Sequence, residues 1–229
     1  MSSLIAEHMK DVHARMEAAC ARSGRDPKTV TLIAVSKTKP IEDLKEAYEA
    51  GARDFGENKV QEISEKAPEM PSDARFHMIG HLQRNKVKQV LKHAVMIHSV
   101  DSVRLAEQIQ TEAEKENLHV KVLLEVNVAK EESKFGFMPE EVMDAVNVIS
   151  KFPNVQICGL MTIAPFVENS EENRPVFKKL YQLSVDIDRK NIDNVTMGVL
   201  SMGMTGDYEV AIEEGATLIR VGTGIFGAR

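Results

Sequence analysis

The stretch VTLIAVSK (Val30–Lys37) is a short run of apolar residues, several of them β-branched, that ends on a lysine. Such a run predicts a buried β-strand, because a strand covered on both faces shows no alternation of polar and apolar residues. Similar segments recur along the chain, with amphipathic helical patterns between them. Strands that alternate with helices predict a parallel sheet, since each crossover must return the chain to the same edge.

The pattern predicts eight strands with seven helices between them and one further helix before the first strand. The strands are predicted at Val30–Ser36, Ala52–Gly56, Arg75–Gly80, Val95–Val100, Val120–Asn127, Gln156–Ile163, Thr196–Met202 and Thr217–Gly222. The helices are predicted at Leu4–Ala21, Ile41–Ala50, Lys59–Lys66, Arg84–Lys92, Ser102–Asn117, Glu140–Lys151, Glu172–Lys190 and Asp207–Glu214.

Eight strands and seven crossover helices are what a (β/α)₈ barrel requires. A doubly wound open sheet is the alternative, but it would usually use fewer strands at this length. No segment rich in Pro, Gly or Ser separates the elements. We therefore predict an α/β protein with one domain over residues 1–229, a TIM-type barrel with an extra N-terminal helix. Leu4, Ala6, His8, Val12 and Met16 give that helix a partial apolar stripe with which to lie across the barrel.

The composition is that of an ordinary globular protein, with 43% hydrophobic and 28% charged residues. A net charge of −6 argues against a nucleic-acid binder that works by phosphate neutralisation. Cys20 and Cys158 form no metal-binding pattern and are predicted to be buried, free thiols, so we expect neither a disulfide nor a metal site. The N-terminal segment lacks the apolar core of a signal peptide, and we expect a cytoplasmic protein.

Glycine-rich turns follow the last two predicted strands. Strand seven runs into LSMGMTGD (Leu200–Asp207) and strand eight into VGTGIFG, which holds Gly222 and Gly224. Exposed backbone N–H groups near a helix start bind anions, and barrels often bind phosphate at these two loops. Glycine is also common at such turns for steric reasons alone. Together the two turns predict a phosphate site.

Arg220 is predicted to point into the barrel mouth. Residues two apart in a strand share a face, so Arg220 lies opposite the apolar pair Ile219 and Val221, which would pack under the helices. A buried guanidinium needs an acceptor. An ion pair with a carboxylate of a neighbouring strand and a contact to a ligand are the two alternatives.

Lys37 shares the inward face of the first strand with Ile33 and Val35. A lysine at the end of a strand is commonly a solvated cap. An amine in an enclosed mouth near Arg220 is instead suited to Schiff-base chemistry, which requires its neutral form. A Schiff-base lysine beside a phosphate loop suggests a phosphorylated aldehyde, for which pyridoxal phosphate is the obvious candidate.

Three polar residues near other strand ends are further candidates. Asn58 follows the second strand, where it could contact a ligand or cap the next helix. His77 lies within the third strand and is predicted to be a hydrogen-bonded core residue. His81, at the end of that strand, is the better candidate to line the mouth.

Six ordered segments resemble the pyridoxal phosphate homeostasis protein family, whose members are barrels similar to the N-terminal domain of alanine racemase. They are LIAVSKTKP, FGENKVQE, FHMIGHLQRNK, EVNVAKEESKFGF, GLMTIAP and LSMGMTGDYEVAIEEGATLIRVGTGIFGAR. The resemblance implies pyridoxal phosphate bound as an aldimine on Lys37, with Arg220 facing the pyridine nitrogen. It further implies that the phosphate is held by Ser201, Gly203, Gly222 and Thr223, and that Asn58 lies near the ring.

The resemblance also implies a monomeric carrier or regulator that delivers the cofactor to dependent enzymes. Racemisation needs a second acid/base group on the opposite face of the substrate. The similar racemases supply a tyrosine from an additional C-terminal domain, whereas this sequence ends directly after its last predicted strand. We therefore expect binding without catalysis. A racemase-like enzyme and a Schiff-base aldolase acting on a sugar phosphate remain the alternatives.

Overall fold

The computed structural model describes residues 3–227. Eight parallel strands close into a barrel in the order of the sequence. They are β1 (Thr31–Val35), β2 (Asp54–Glu57), β3 (Arg75–Met78), β4 (Ala94–Val100), β5 (Val120–Glu125), β6 (Val155–Met161), β7 (Val195–Met204) and β8 (Leu218–Val221). The predicted TIM-type barrel is confirmed. Ala228 and Arg229, which end the C-terminal motif, lie outside the described residues.

Among the described residues, one α-helix precedes the first strand, one follows each of the eight strands, and these helices cover the outside of the barrel. They are α1 (Leu4–Ser23), α2 (Ile41–Glu49), α3 (Val60–Lys66), α4 (Val87–Val90), α5 (Val103–Lys115), α6 (Val142–Ile149), α7 (Arg174–Asp188), α8 (Tyr208–Glu213) and α9 (Thr223–Phe226). The helix predicted at Arg84–Lys92 is shorter, because its first turn is a 3₁₀ turn (Arg84–Lys86) and α4 ends at Val90.

Successive residues of the strands point alternately into two apolar layers, one beneath the helices and one inside the barrel. In β5, Leu124 packs among the residues beneath the helices, whereas Leu123 joins Cys158 and Met161 in a small cluster with Val199 inside the barrel. Both layers are apolar over much of their area, which explains why the strands appear in the sequence as near-continuous apolar runs. Both cysteines are buried free thiols, as predicted.

Helix α1 packs against α8 and α9, the last two helices described. Its buried stripe is Ile5, Met9, Val12 and Met16, so the predicted stripe was wrong at Leu4, which is 67% exposed. The stripe recurs every three or four residues from Ile5, the period of one helix face. No helix within residues 3–227 is long and apolar enough to cross a membrane.

Glu125 is a carboxyl group on the inward face of the barrel. It alternates with Leu124 along β5, and only 7% of its surface is exposed. Burial raises the pKa of Glu125 to about 7, and the charge of Asp101 adds to this effect while Arg220 opposes it. A carboxyl whose pKa rises on folding stabilises the fold in its protonated form. That stability is complete below the unfolded-state pKa and is lost as the pH rises through about 7.

We expect Glu125→Gln to remove a pH dependence from the free energy of unfolding. Relative to the glutamine variant, the wild type should lose about 3 kcal/mol between about pH 4.5 and about pH 7.5. Urea denaturation of both proteins across this range measures the difference. Glu107→Gln, at an exposed position on α5, is the matched control. A difference between wild type and Glu125→Gln that does not change with pH would contradict the assignment.

Candidate functional site

The seven residues predicted to bind a cofactor lie at the carboxyl ends of four strands. Ser201 and Gly203 belong to the end of β7, Arg220 belongs to β8, Gly222 and Thr223 directly follow it, Lys37 follows β1, and Asn58 follows β2. Strands β7, β8, β1 and β2 are consecutive neighbours in the closed barrel. The fold therefore collects all seven on one side of the mouth, where barrel sites are built.

The pairing of β1 with β8 places the lysine strand beside the glycine turn. Ile33 lies opposite Arg220 in the register of the two strands. A side chain added at Gly222 would meet the Cβ and carbonyl oxygen of Val35 at 3.4 Å. Lys37, two residues further on, is half-buried and interacts with a neighbouring group. The two sequence features predicted to build one site are thus adjacent in space.

A second lysine, Lys66 at the end of α3, stabilises the turn that contains Lys37. Its ammonium donates to the carbonyl oxygen of Ser36 at 2.9 Å, to Oε1 of Glu57 at 2.8 Å and to Oε2 of Glu62 at 2.7 Å. Ser36 also donates its hydroxyl to Oε1 of Glu57 at 2.6 Å. Only 10% of the Lys66 side chain is exposed, so these contacts are shielded from water.

The same cluster stabilises an unusual backbone conformation directly after Lys37. Thr38 has a φ of 64°, in the left-handed region that a β-branched residue rarely adopts. Its N–H donates to Oε2 of Glu62 at 2.7 Å. Burial raises the pKa of Glu57 to about 7, although the hydrogen bonds from Lys66 and Ser36 oppose that shift. We call Ser36, Glu57, Glu62 and Lys66 the turn clamp.

Arg220 is buried, with 4% of its surface exposed. Nη1 donates to the hydroxyl of Ser201 at 2.5 Å, and Nη2 donates to the carbonyl oxygen of Thr162 at 2.8 Å. Burial lowers the pKa of Arg220 to about 10, against the charges of Asp207 and Glu125, so the guanidinium keeps its proton near neutral pH. Its observed acceptors are a hydroxyl and a backbone carbonyl, not the carboxylate considered from the sequence.

The Ser201 hydroxyl faces the barrel interior. It lies 2.5 Å from Nη1 of Arg220 and 2.9 Å from Nδ1 of His98. Both hydrogen-bonding contacts of the Ser201 hydroxyl lie inside the barrel. The hydroxyl of Ser201 is thus engaged by Arg220 and His98, and its carbonyl oxygen accepts from the N–H of Thr162 at 3.1 Å.

The loops after β7 and β8 are joined to each other. The N–H of Gly224 donates to Oγ1 of Thr205 at 3.3 Å. Asp207 fixes the first loop by accepting from the N–H of Met204 at 2.7 Å and from the side-chain amide of Asn173 at 2.8 Å. Gly203 has a φ of 91°, and a Cβ there would lie 2.6 Å from that of Ala211, so only glycine fits. The two predicted phosphate loops form one wall.

Asn58, His77 and His81 are the remaining polar candidates. Asn58 packs against Gly80 so closely that a Cβ on Gly80 would lie 2.5 Å from the carbonyl oxygen of Asn58. His77 is a buried core residue with both ring nitrogens hydrogen-bonded, as predicted. His81 is exposed, stacks on Phe135 at 3.9 Å between ring centroids, and contacts Asp101. No metal-binding cluster of His, Cys, Asp or Glu occurs within residues 3–227.

The sequence did not reveal several residues that support the site. His98, Asp54, Thr162, Thr205 and the turn clamp had no assigned role. The alternation along β4 could have placed His98 on the inward face with Met96, since residues two apart share a face. Lys66 carried no such signal, because its three partners lie on the β1–α2 turn, on β2 and on its own helix.

The comparisons with known proteins agree on one family. The family described as "Alanine racemase, N-terminal domain" matches residues 11–229. A "Pyridoxal phosphate homeostasis protein" of Aquifex aeolicus is 45% identical over 97% of both chains. A human protein with the same name is 38% identical, over 96% of this chain and 85% of the human one.

Solved structures with similar sequences share the fold over nearly the whole chain. An unknown protein from Bifidobacterium adolescentis superimposes with a TM-score of 0.92 at 36% identity, over 97% of this chain and 94% of that one. PipY of Synechococcus elongatus, solved with PLP bound, gives a TM-score of 0.84 at 37% identity, over 97% of this chain and all of PipY. The sequence and the barrel of this chain together show that it belongs to the pyridoxal phosphate homeostasis protein family, within the proteins that share the N-terminal domain of alanine racemase.

Proposed function

We propose that this protein binds pyridoxal 5′-phosphate as a Schiff base on Lys37 and holds it for delivery to cofactor-dependent enzymes inside the cell, without catalysis of its own. The observation that carries the proposal is the arrangement at the mouth, where Lys37 lies beside the Gly222 turn and Arg220 lies beneath both. The names of the relatives and the PLP-bound structure of PipY support the same cofactor.

The residues present fit this cofactor by their chemistry. Lys37 would supply the amine that condenses with the cofactor's aldehyde, with release of water. The backbone N–H groups around Gly203, Gly222 and Thr223 are suited to the phosphate. Arg220, held by its bond to Ser201, would present its guanidinium to the ring nitrogen, and Asn58 would lie near the ring.

Arg220 also bears on the question of catalysis. A guanidinium that keeps its proton donates to the ring nitrogen and leaves it unprotonated, which weakens the cofactor as an electron sink. The chain has three tyrosines, and they lie on the covering helices: Tyr48 on α2, Tyr181 on α7 and Tyr208 on α8. The relatives are named as homeostasis proteins and not as enzymes. These observations favour a binding role.

Borohydride reduction tests the covalent link. The purified protein loaded with pyridoxal phosphate should be yellow, and reduction should leave the cofactor fixed on the peptide that contains Lys37, as located by mass spectrometry. Lys37→Ala should give a colourless protein with no fixed cofactor. Lys39→Ala is the matched control, because Lys39 lies two residues away and donates to the carbonyl oxygen of Phe226. A wild type that does not bind pyridoxal phosphate would refute the proposal.

The turn clamp should matter for both stability and the rate of attachment. Lys66→Met leaves Glu57 and Glu62 without their ammonium, and we expect a loss of about 3–5 kcal/mol in the free energy of unfolding. Since the Ser36–Thr38 turn also loses support, cofactor attachment to Lys37 should slow. Chemical denaturation and the rise of visible absorbance measure the two effects.

Two further variants serve as controls for Lys66→Met. Lys66→Met combined with Glu57→Gln removes both the buried ammonium and the ionisable carboxyl group that it contacts, and should recover part of the stability. Lys88→Met breaks an exposed pair with Glu116 at 3.5 Å and should cost less than about 1 kcal/mol. Equal losses for Lys66→Met and Lys88→Met would contradict a supporting role for the clamp.

Exchange of the α-hydrogen separates the carrier from a racemase-like enzyme. The loaded protein is incubated with α-deuterated amino acids and followed by NMR. A carrier should show no substrate-dependent loss of deuterium, whereas turnover of about 1 s⁻¹ or more would indicate an enzyme. Trapping of a triose phosphate on Lys37 in a protein that binds no pyridoxal phosphate would instead indicate an aldolase.

A further inference from the structure

A continuous series of hydrogen bonds crosses the inside of the barrel beneath the site. Arg220 of β8 contacts Ser201 of β7 at 2.5 Å, and the Ser201 hydroxyl lies 2.9 Å from Nδ1 of His98 on β4. Nε2 of His98 lies 2.9 Å from Nδ1 of His77 on β3, and Nε2 of His77 lies 2.9 Å from Oδ1 of Asp54, the first residue of β2. All five residues are buried. We call this series the Asp54–Arg220 chain.

The two ends of the Asp54–Arg220 chain differ in whether they donate or accept hydrogen bonds. A guanidinium donates hydrogen bonds and accepts none, whereas an ionised carboxylate accepts and does not donate. Burial alone would raise the pKa of Asp54, but hydrogen bonds from His77 and Arg75 outweigh burial and hold that pKa below its ordinary value. Arg75 makes two hydrogen bonds to the same carboxylate, at 2.8 and 2.5 Å. Asp54 is therefore ionised near neutral pH.

If both histidine rings are neutral, these ends determine the position of every proton between them. Since Asp54 accepts, neutral His77 carries its hydrogen on Nε2 and leaves Nδ1 as an acceptor. His98 must then donate from its own Nε2, which leaves its Nδ1 as an acceptor. The Ser201 hydroxyl donates to that nitrogen and accepts from Arg220. Every link points the same way, from Arg220 to Asp54.

We propose that Asp54, His77, His98 and Ser201 form a series of hydrogen bonds that all point in the same direction, and that this series positions Arg220 against the cofactor. His77 and His98 are positioning residues in this scheme, since neither belongs to the mouth itself. The effect on the cofactor rests on the proposed function, whereas the direction of the chain does not. Because the Ser201 proton is held by His98, its hydroxyl oxygen is turned to Arg220 as an acceptor.

A protonated His77 would reverse the two middle bonds, His77–His98 and His98–Ser201, and leave the two end bonds unchanged. If His77 carried hydrogen on both nitrogens, His98 would accept at Nε2 and donate from Nδ1. Ser201 would then receive hydrogen bonds from both His98 and Arg220, and its own proton would need a further acceptor. Burial, with His77 and Arg220 nearby, holds the pKa of His98 well below its ordinary value, so His98 is neutral in either arrangement. The two arrangements differ in whether Nδ1 of His77 carries a hydrogen.

Histidine NMR on the cofactor-free protein tests the direction. Long-range ¹H–¹⁵N spectra near neutral pH should show both rings neutral, with hydrogen on Nε2 and none on Nδ1. The signals are assigned by their loss in His77→Gln and His98→Gln, and His119→Gln, at an exposed position, is the control. Hydrogen on Nδ1 of either ring, or a protonated ring, would overturn the proposed direction. This experiment requires no cofactor, so its result is independent of the proposed function.

Cofactor binding tests whether the chain positions Arg220. His98→Phe keeps a ring but removes both hydrogen bonds, and we expect the affinity for pyridoxal phosphate to fall about tenfold. His98→Gln retains a donor and an acceptor and should recover part of the affinity, while His119→Phe should match the wild type. Unchanged affinity in a folded His98→Phe protein would overturn the positioning role. If His98→Phe does not fold, the comparison of His98→Gln with wild type decides it, and a shifted absorption maximum of the bound cofactor supports the role.

Discussion

Four residues of β1 pair with four of β8 and thereby close the barrel, with Ile33 opposite Arg220. Closure turns the first and last strands into neighbours, although nearly two hundred residues separate them in the sequence. It places Lys37 beside the Gly222 turn and sets Arg220 beneath them. The wall of the site, formed by the loops after β7 and β8, then stands directly next to the lysine. Without this pairing the candidate residues would lie at opposite edges of an open sheet.

The inside of the barrel combines an apolar cluster with a polar series, and this combination sets the chemistry of the mouth. Leu123, Cys158 and Met161 fill one part, as branched and apolar residues do in most barrels. The Asp54–Arg220 chain occupies another part, with an ionised carboxylate at one end and a guanidinium at the other. Because each buried polar atom in the chain has a partner, the interior tolerates these groups without exposing them to water. The cation is thereby kept next to the mouth.

Two kinds of support converge on the proposed Schiff-base lysine. The turn clamp holds the backbone on both sides of Lys37 through a buried ammonium and two carboxylates. The Asp54–Arg220 chain reaches the same region from inside the barrel. A fixed lysine and a fixed guanidinium suit a protein that binds a cofactor in one orientation and has no need to move it during a reaction. The relatives named for pyridoxal phosphate homeostasis are consistent with such a role.

The sequence by itself determined the barrel, since eight apolar segments that alternate with helical patterns leave few other arrangements. Alternation along β8 also placed Arg220 inward, and the glycines placed the two loops. The tertiary structure decided which residues these side chains contact. Ser201 and His98 are 103 positions apart, and Lys66 and Ser36 are 30 apart. Such contacts depend on the register of strands across a closed barrel, which periodicity along one strand does not specify. Local pattern therefore fixes the direction in which a side chain points, whereas closure of the sheet decides what it meets there.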